Sequence, residues 1–245
     1  MSAFRWDDRV VLITGSSSGI GAETARRFAD AGARVVVNSA RSVEAGQELA
    51  ASLPGGVYLQ ADVSRPEQAV ELVAGAVSAC GRLDCVVNNA GTSRKVPHRD
   101  LDAVQREDWQ SVLDVNLLAS WEVSRAAAEH LRASGDGCIV NVSSLAGVIV
   151  GGSSIPYAVS KAAVNHLTLL LARALAPEVR VNAVAPGLTD TPWTSEWEQE
   201  RVKAAKGSPR GRIGTAPEVA DAVFSMASLT HVTGEVLMID GGTHL

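Results

Sequence analysis

The fold of this chain is decided by the stretch TGSSSGIG at residues 14–21. A short apolar run, RVVLI at residues 9–13, precedes it, and a segment with helical spacing follows at residues 22–31 and stops at Gly32. A strand, a glycine turn and a helix in this order predict the first half of a mononucleotide-binding unit. The glycines at 15, 19 and 21 permit a tight turn and a close approach to a pyrophosphate, while the helix N-terminus favours negative charge.

Apolar runs alternate with helical segments along the rest of the chain. Strands are predicted over residues 10–13, 34–38, 57–60, 83–88, 138–142, 179–185 and 236–239. This alternation predicts an α/β domain with a parallel sheet and helices on both faces. Three hydroxyl residues precede a glutamate at the spacing of a capping box, which begins a helix: Ser64 with Glu67, Ser195 with Glu198, and Thr215 with Glu218. No repeat or linker divides the chain, so residues 1–245 are predicted to form one domain.

Composition limits the function classes. A net charge of -5 argues against a surface that binds nucleic acid, because such surfaces need clustered Lys and Arg. The sequence shows no signal-peptide pattern at residues 1–8 and no apolar run long enough to cross a bilayer, which predicts a cytoplasmic protein without a membrane partner. The three cysteines, Cys80, Cys85 and Cys138, are interpreted as buried apolar residues, and no metal site is predicted.

A candidate catalytic pattern lies in the middle of the chain. Tyr157 precedes Lys161 by four residues, and Ser144 lies thirteen residues before the tyrosine. Tyrosine is a poor acid or base near neutral pH because its unperturbed pKa is about 10. A lysine one helical turn away can stabilise the phenolate. With the glycine turn, this pattern predicts a site that moves a hydride to or from a carbonyl carbon.

These motifs resemble the classical short-chain dehydrogenase/reductase family from about Val10 to the C-terminus. The resemblance rests on the glycine turn, on Ser144, Tyr157 and Lys161, and on further matches to the family pattern: NNAG at residues 88–91, Asn116, Pro186 with Gly187, and DGG at residues 240–242. It implies a single doubly wound (Rossmann) domain with a seven-stranded parallel sheet in the order 3-2-1-4-5-6-7. It also implies a homotetramer.

The resemblance implies a role for each catalytic residue. Tyr157 would be the general acid in reduction and the base in oxidation, and Lys161 would lower its pKa and hold the nicotinamide ribose. Ser144, rather than Ser143, would hydrogen-bond the substrate oxygen, because it has the family's spacing from the tyrosine and begins a Ser-x-x-Gly turn. Asn116 would anchor a water that relays protons from Lys161; apart from the resemblance, it reads as a helix amide bonded to backbone.

The resemblance also implies a set of residues around a nicotinamide dinucleotide. Asp62 would contact the adenine, and Thr191 would hold the carboxamide. The implied cofactor-binding residues are Gly15, Ser17, Ser18, Gly19, Ile20, Gly21, Ser39, Arg41, Asp62, Val63, Asn89, Ala90, Gly91, Tyr157, Lys161, Pro186, Gly187, Thr189 and Thr191.

Cofactor choice depends on the end of the second strand. Relatives that prefer NAD have an acidic residue there, which binds the ribose hydroxyls and repels a 2′-phosphate. This chain has Ser39, followed two residues later by Arg41. The missing carboxylate and the available guanidinium favour NADP(H). The alternative is NAD(H), in which case Arg41 is a solvated surface charge.

The substrate is less defined by the sequence. The segment 192–212 corresponds to the family's substrate-binding loop and is predicted to be a lid. Candidate substrate residues are Ser144, Ser154, Trp193 and Trp197, although the tryptophans could instead pack against the domain or a neighbouring subunit. The favoured function is an NADP(H)-dependent carbonyl reductase or alcohol dehydrogenase that acts on a small molecule. The alternatives are an NAD-dependent dehydrogenase of a sugar alcohol or other secondary alcohol, and a non-catalytic protein that senses nicotinamide.

Overall fold

A seven-stranded parallel sheet forms the centre of the protein in a computed structural model, which describes residues 5–245. Its strands are β1 (Val10–Ile13), β2 (Arg34–Ser39), β3 (Val57–Gln60), β4 (Cys85–Asn88), β5 (Gly137–Val142), β6 (Val179–Pro186) and β9 (Val236–Ile239). Two short strands, β7 (Thr189–Asp190) and β8 (Gly214–Thr215), pair with each other outside this sheet. The order across the main sheet is β3-β2-β1-β4-β5-β6-β9, so the predicted topology is confirmed with β9 as the seventh strand.

Helices cover both faces of the sheet. The described residues form α1 (Gly19–Asp30), α2 (Val43–Ser52), α3 (Pro66–Cys80), α4 (Arg106–Leu113), α5 (Ala119–Ala133), α6 (Ile155–Leu175), α7 (Glu198–Gly207) and α8 (Ala216–Ser228). Alternate residues of β1 point to opposite faces, as the strand period requires. Val11 and Ile13 pack with α1, α2 and α8, whereas Val10 and Leu12 pack with α3, α5 and α6.

Two predicted element starts differ from the structure. Helix α1 begins at Gly19 and not at residue 22, so residues 19–21 of the glycine turn belong to the helix. Strand β4 begins at Cys85 and not at residue 83. The reason is the preceding residue, Asp84, whose buried carboxylate accepts hydrogen bonds from Arg82 and from the backbone N–H of Val10. The carboxylate takes the Val10 N–H, and the paired residues of β1 and β4 begin one position later.

One of the three predicted capping boxes is confirmed. At the start of α8, the Glu218 carboxylate accepts hydrogen bonds from the backbone N–H and the hydroxyl of Thr215, at 2.9 and 3.0 Å. The other two predictions are wrong, because each serine hydroxyl bonds to a residue before it in the chain. Ser64 donates to the Asp62 carboxylate, and Ser195 donates to the Pro192 carbonyl. Helices α3 and α7 begin without these serines as caps.

The N-terminal segment without a signal pattern lies partly outside the described residues, because the structure describes the chain from residue 5 onward. Within residues 5–245, no helix is both long enough and apolar enough to cross a membrane.

A buried arginine joins α8 to the sheet. Arg180 lies on β6 and is 8% exposed. Its guanidinium donates hydrogen bonds to the carbonyls of Ala227 and Leu229, at 2.7 and 2.9 Å, beside the C-terminal end of α8. The last carbonyls of a helix lack intrahelical partners and carry partial negative charge, so a cation there is doubly favourable. This contact fixes α8 on β6, the strand whose other end reaches the candidate site.

We expect Arg180→Met to lower the free energy of unfolding by about 1.5–3 kcal/mol, because it removes charge-assisted hydrogen bonds and leaves buried carbonyls without a donor. Denaturant unfolding measures this change. Arg173→Met is the matched control, since Arg173 is exposed in the last turn of α6, and it should stay within about 0.5 kcal/mol of the unchanged protein. Equal effects of the two substitutions would contradict the capping role.

Candidate active site

The three predicted catalytic residues lie together where the carboxyl end of β5 meets the start of α6. Tyr157 and Lys161 are one turn apart on α6, and the Lys161 ammonium nitrogen lies 5.8 Å from the centre of the Tyr157 ring. Lys161 is 4% exposed, and its Nζ donates to the Val142 carbonyl at 2.8 Å. The last residue of β5 therefore fixes the lysine beside the phenol.

The position of Ser144 explains why the second serine of the Ser143-Ser144 pair faces the tyrosine. The Ser143 hydroxyl is buried and donates to the Lys161 carbonyl at 3.1 Å, so it is directed into α6. Ser144 begins a 3-10 turn, Leu145–Gly147, and its hydroxyl hydrogen-bonds the Tyr157 side chain. The turn packs closely on α6, because a Cβ added at Gly147 would lie 2.5 Å from the Lys161 carbonyl carbon.

Burial controls the pKa values of the site. It raises the pKa of Tyr157 above its usual value, while the hydrogen bond from Ser144 acts in the opposite direction. Burial also lowers the pKa of Lys161 to about 8. Burial by itself disfavours the phenolate, and the expectation that Lys161 lowers the pKa of Tyr157 stays a prediction.

The side chain of Asn116 connects the segment after β4 to α6. Asn116 is 1% exposed and lies in a short π-helical segment (the π-turn below), Asp114–Leu118, between α4 and α5. Its amide oxygen accepts from the Thr92 N–H at 2.7 Å, and its amide nitrogen donates to the Thr92 carbonyl and to the Ser160 hydroxyl. Ser120 donates to the Asn116 carbonyl at 3.0 Å. Asn116 thus fixes the segment after β4 against α6, and its role as the anchor of a proton-relaying water stays a prediction.

Ser160 is a site residue that the sequence analysis missed. Its buried hydroxyl accepts from Asn116 and donates to the Tyr157 carbonyl at 2.7 Å, so it links the π-turn to the first turn of α6. The available signal was its place next to Lys161 on the helix face that carries the tyrosine.

The glycine turn forms a cradle that side chains would fill. Gly15 and Gly19 have φ values of +61° and +55°, which favour glycine. A Cβ at Gly15 would lie 2.9 Å from the Ala90 Cα, and one at Gly21 would lie 2.7 Å from the Gly15 carbonyl oxygen. Ser18 is exposed at the N-cap of α1, next to partly exposed Ser17 and Ile20. Free backbone N–H groups and the helix dipole suit this turn to a pyrophosphate.

Thr14 and Asn89 join this turn to the end of β4. The Thr14 hydroxyl accepts from the backbone N–H groups of Asn89 and Ala90, both at 3.0 Å. The Asn89 amide nitrogen donates to the carbonyls of Thr14 and Gly15, at 2.9 and 2.8 Å. The side chain of the predicted cofactor residue Asn89 therefore stabilises the glycine turn. The chain then runs through Ala90 and Gly91 towards Lys161.

The predicted adenosine-binding residues have different environments. Ser39 is 3% exposed, and its hydroxyl is already bonded to Tyr58 and to the Ser42 carbonyl. Arg41 is exposed, and no described residue forms an ion pair with its guanidinium. The Asp62 carboxylate accepts from the N–H and hydroxyl of Ser64. Of these residues, Arg41 offers the free charge.

The segment after β6 forms the opposite wall. Pro186 ends the strand, and Gly187 packs on Asp240, where an added Cβ would lie 3.1 Å from the Asp240 Cα. Thr189 donates to the Gly187 carbonyl at 3.0 Å. Thr194, which the sequence analysis missed, donates to the Thr189 carbonyl at 2.6 Å. Thr191 faces the glycine turn, since a Cβ at Gly19 would lie 3.5 Å from its side chain.

The four predicted substrate residues are only partly brought together. The Trp193 ring meets the Tyr157 ring edge-on, with centroids 6.1 Å apart and an interplanar angle of 89°. Trp197 instead lies under the Lys95 ammonium, 5.7 Å from its ring centre. Ser154 is 2% exposed and caps α6, accepting from the Tyr157 N–H at 3.4 Å. Trp193 and Ser144 therefore border the tyrosine, whereas Ser154 supports the helix that carries it.

Comparisons with known proteins agree with this arrangement. A family model described as Enoyl-(Acyl carrier protein) reductase matches residues 15–244. The chain is 50% identical over 241 residues to a Streptomyces violaceoruber protein provisionally named ketoacyl reductase 2 of the granaticin polyketide synthase, and the match covers 96% of each chain. It is 39% identical over 246 residues to a 3-oxoacyl-(acyl-carrier-protein) reductase from Thermotoga maritima, with 97% of this chain and 98% of the relative covered. The chain belongs to the classical short-chain dehydrogenase/reductase family.

A solved member of this family has the same fold. The gluconate 5-dehydrogenase from Burkholderia cenocepacia J2315, in complex with NADP and tartrate, superposes with a TM-score of 0.90 at 32% identity, and the match covers 98% of this chain and 97% of that one. Short-chain dehydrogenases/reductases are oxidoreductases that act on CH–OH or C=O groups with a nicotinamide cofactor. The protein is an enzyme of this class.

We expect Gly21→Ala to weaken binding of the nicotinamide cofactor at least about tenfold, because the added Cβ would displace the Asn89 amide and the Gly15 carbonyl that shape the turn. Cofactor titration by fluorescence or calorimetry measures the effect. Gly151→Ala is the control, since an added Cβ there meets no atom within 4 Å. Unchanged cofactor affinity in Gly21→Ala would contradict the proposed cradle.

Proposed function

We propose that the enzyme reduces a ketone with NADPH and that Tyr157 is the general acid. The observation that carries this proposal is the meeting of Ser144, Tyr157 and Lys161 at the end of the sheet that also carries the glycine turn. The relative with 50% identity, provisionally named a ketoacyl reductase, and the 3-oxoacyl-(acyl-carrier-protein) reductase support a 3-oxoacyl thioester or similar polyketide as substrate.

The chain's own residues define the proton chemistry of this reaction. A bound NADPH supplies the hydride. The Tyr157 hydroxyl donates its proton to the carbonyl oxygen as that oxygen becomes an alkoxide, and the Ser144 hydroxyl donates a hydrogen bond to the same oxygen. The Lys161 ammonium stabilises the resulting phenolate, which is then reprotonated from solvent. In alcohol oxidation, the phenolate takes the proton back.

Burial is compatible with this direction of proton transfer. The raised pKa of Tyr157 keeps the phenol protonated at neutral pH, which is the state that an acid needs for reduction. In oxidation the phenolate must form first, and the positive charge of an oxidised nicotinamide would favour it. With NADPH, which lacks the positive charge of the oxidised nicotinamide, the protonated Tyr157 is therefore suited to reduction.

The Arg41 guanidinium supports the preference for NADPH over NADH. It is exposed and free of ion pairs with described residues, next to a strand end without a carboxylate. The gluconate 5-dehydrogenase, whose structure is in complex with NADP and tartrate, is a structural relative with a TM-score of 0.90. We further propose that the segment 192–212 covers the substrate, because α7 has no buried residue to fix it to the core.

The second candidate function is oxidation of a sugar-derived secondary alcohol, with NAD as an alternative cofactor. The similarity to a gluconate 5-dehydrogenase favours it. A non-catalytic nicotinamide sensor is less consistent with the complete set of Ser144, Tyr157 and Lys161. Oxidation of NADPH and, separately, of NADH by purified protein, with acetoacetyl thioesters, ketones and keto sugars offered in turn, distinguishes the three functions. A homotetramer and a cytoplasmic location stay predictions.

We expect Tyr157→Phe to lower kcat by about 100 to 10,000-fold, the usual range for a lost general acid, with cofactor affinity nearly unchanged. The substitution removes one hydroxyl and little volume. Steady-state rates and cofactor titration measure the two effects. A variant that keeps more than about a tenth of the rate would remove Tyr157 from the role of acid.

The pH dependence of the reaction should follow Lys161. Its pKa is about 8, so the ammonium is present below that pH and lost as the pH rises through it. With NADPH as the varied reactant, kcat/KM reports ionisations of the free enzyme. We expect it to be level between about pH 6 and 7 and to fall above about pH 8. A profile that stays level to about pH 10 would contradict the requirement for the charge.

We expect Arg41→Ala to weaken NADPH binding about 10 to 100-fold and to leave NADH binding nearly unchanged, because a charge-assisted hydrogen bond contributes about 1.5–3 kcal/mol. Dissociation constants for both cofactors test this expectation. Arg173→Ala is a suitable control, since Arg173 is an exposed arginine in the last turn of α6. A similar loss for both cofactors would show that Arg41 does not discriminate between them.

A further inference from the structure

Strand β3 holds the loop that joins β2 to α2 and carries Arg41. The Gln60 side chain donates to the Ala40 carbonyl at 3.1 Å, and the Ala61 N–H donates to the Ser39 carbonyl at 3.2 Å. These contacts fix the backbone immediately before Arg41. The guanidinium itself stays exposed beyond this fixed backbone.

The backbone after Arg41 is fixed through Tyr58, also on β3. The Tyr58 hydroxyl is hydrogen-bonded to the Ser39 hydroxyl at 2.9 Å, and the Ser39 hydroxyl donates to the Ser42 carbonyl at 3.0 Å. Since Ser39 has one proton and directs it to Ser42, Tyr58 is the donor in the bond between the two side chains. A chain of hydrogen bonds therefore runs from β3 to the residue that precedes α2.

The ring of Tyr58 also sets the distance between β3 and α2. A Cβ added at Gly46 of α2 would collide with the ring, so the helix lies directly on the tyrosine. The same side chain thus supports the helix with its ring and the loop with its hydroxyl. Within the loop itself, the Val43 N–H donates to the Arg41 carbonyl at 2.9 Å, while the side chains of Ala40 and Arg41 are exposed.

These bonds also decide what Ser39 can do. Its hydroxyl proton is used within the loop, and the residue is 3% exposed, so it has no donor to offer a phosphate oxygen. A 2′-phosphate needs donors and positive charge. Among residues 39–42, the guanidinium of Arg41 provides both, and Ser39 links it to β3.

We propose that Tyr58 and Gln60 are positioning residues for cofactor specificity, which hold the Arg41 loop ready for the 2′-phosphate of NADPH. This inference rests on the proposed preference for NADPH. A loop that is ordered before binding loses less conformational entropy when the phosphate arrives, so affinity rises without a new contact. Neither residue needs to touch the cofactor. The affinity for NADH, which lacks the phosphate, should not depend on either residue.

Dissociation constants for NADPH, NADH and adenosine 2′,5′-bisphosphate test the proposal in the full-length protein. We expect Tyr58→Phe to weaken NADPH and the bisphosphate about 3 to 10-fold, the effect of one hydrogen bond, and to change NADH less than about twofold. Gln60→Ala should act in the same direction, and because Gln60 is exposed this variant carries little risk to folding. Ser52→Ala is the matched control: it removes a hydroxyl bond to the Leu49 carbonyl at the far end of α2.

A double-mutant cycle separates positioning from a general loss of structure. If Tyr58 acts through Arg41, Tyr58→Phe should have no further effect on NADPH affinity in an Arg41→Ala background. Additive losses, or equal losses for NADPH and NADH, would overturn the proposal. Unchanged NADPH affinity in both Tyr58→Phe and Gln60→Ala, while the unchanged protein prefers NADPH, would overturn this proposal alone. Equal affinity of the unchanged protein for both cofactors would overturn the NADPH assignment and this inference with it.

Discussion

The hydrogen bonds between Thr14 and the Asn89-Ala90 segment join the two halves of the enzyme. One half, β1 with α1, forms the glycine turn, and the other, β4 to α6, carries the candidate catalytic residues. Thr14 accepts two backbone N–H groups from the second half, and Asn89 donates to two carbonyls of the first. Because adjacent parallel strands end at the same edge of a sheet, these four bonds set the distance between the glycine turn and Lys161.

The catalytic half is itself fixed from several directions. Asn116 connects the segment after β4 to Ser160, and Ser160 connects to the carbonyl of Tyr157. The Val142 carbonyl directs Lys161 from the end of β5. The backbone of Tyr157 is therefore held through Ser160 and Asn116, while its ring contacts Trp193. Such support suits a proton donor, since small displacements from the substrate oxygen reduce the rate.

Much of this architecture could be predicted from residue pattern. The strands follow apolar runs, and the order of motifs identified the family and its sheet topology. The capping boxes at Ser64 and Ser195 could not be judged from spacing, because each hydroxyl had a competing partner nearby. Helix starts and ends depend on such local competition, which a pattern of residue types does not resolve.

The site residues divide in the same way. Tyr157, Lys161 and Ser144 were predictable because their spacing on one helix and one turn fixes their geometry. The engagement of Asn116 with Thr92, and of Ser39 with Tyr58, depends on contacts between different elements, 24 and 19 residues apart in sequence. The raised pKa of Tyr157 was also beyond the sequence, since desolvation is a property of the folded environment.

Transfer of a labelled hydride tests the central account most directly. The enzyme would be offered acetoacetyl thioester and NADPH that carries deuterium at C4 of the nicotinamide, in each stereoisomer separately, and the product would be analysed by mass spectrometry and NMR. The account predicts one deuterium on the hydroxyl-bearing carbon from one of the two stereoisomers, with the hydroxyl proton from solvent. No reduction of the ketone, or deuterium found only in the product of an enoyl thioester offered in parallel, would contradict it.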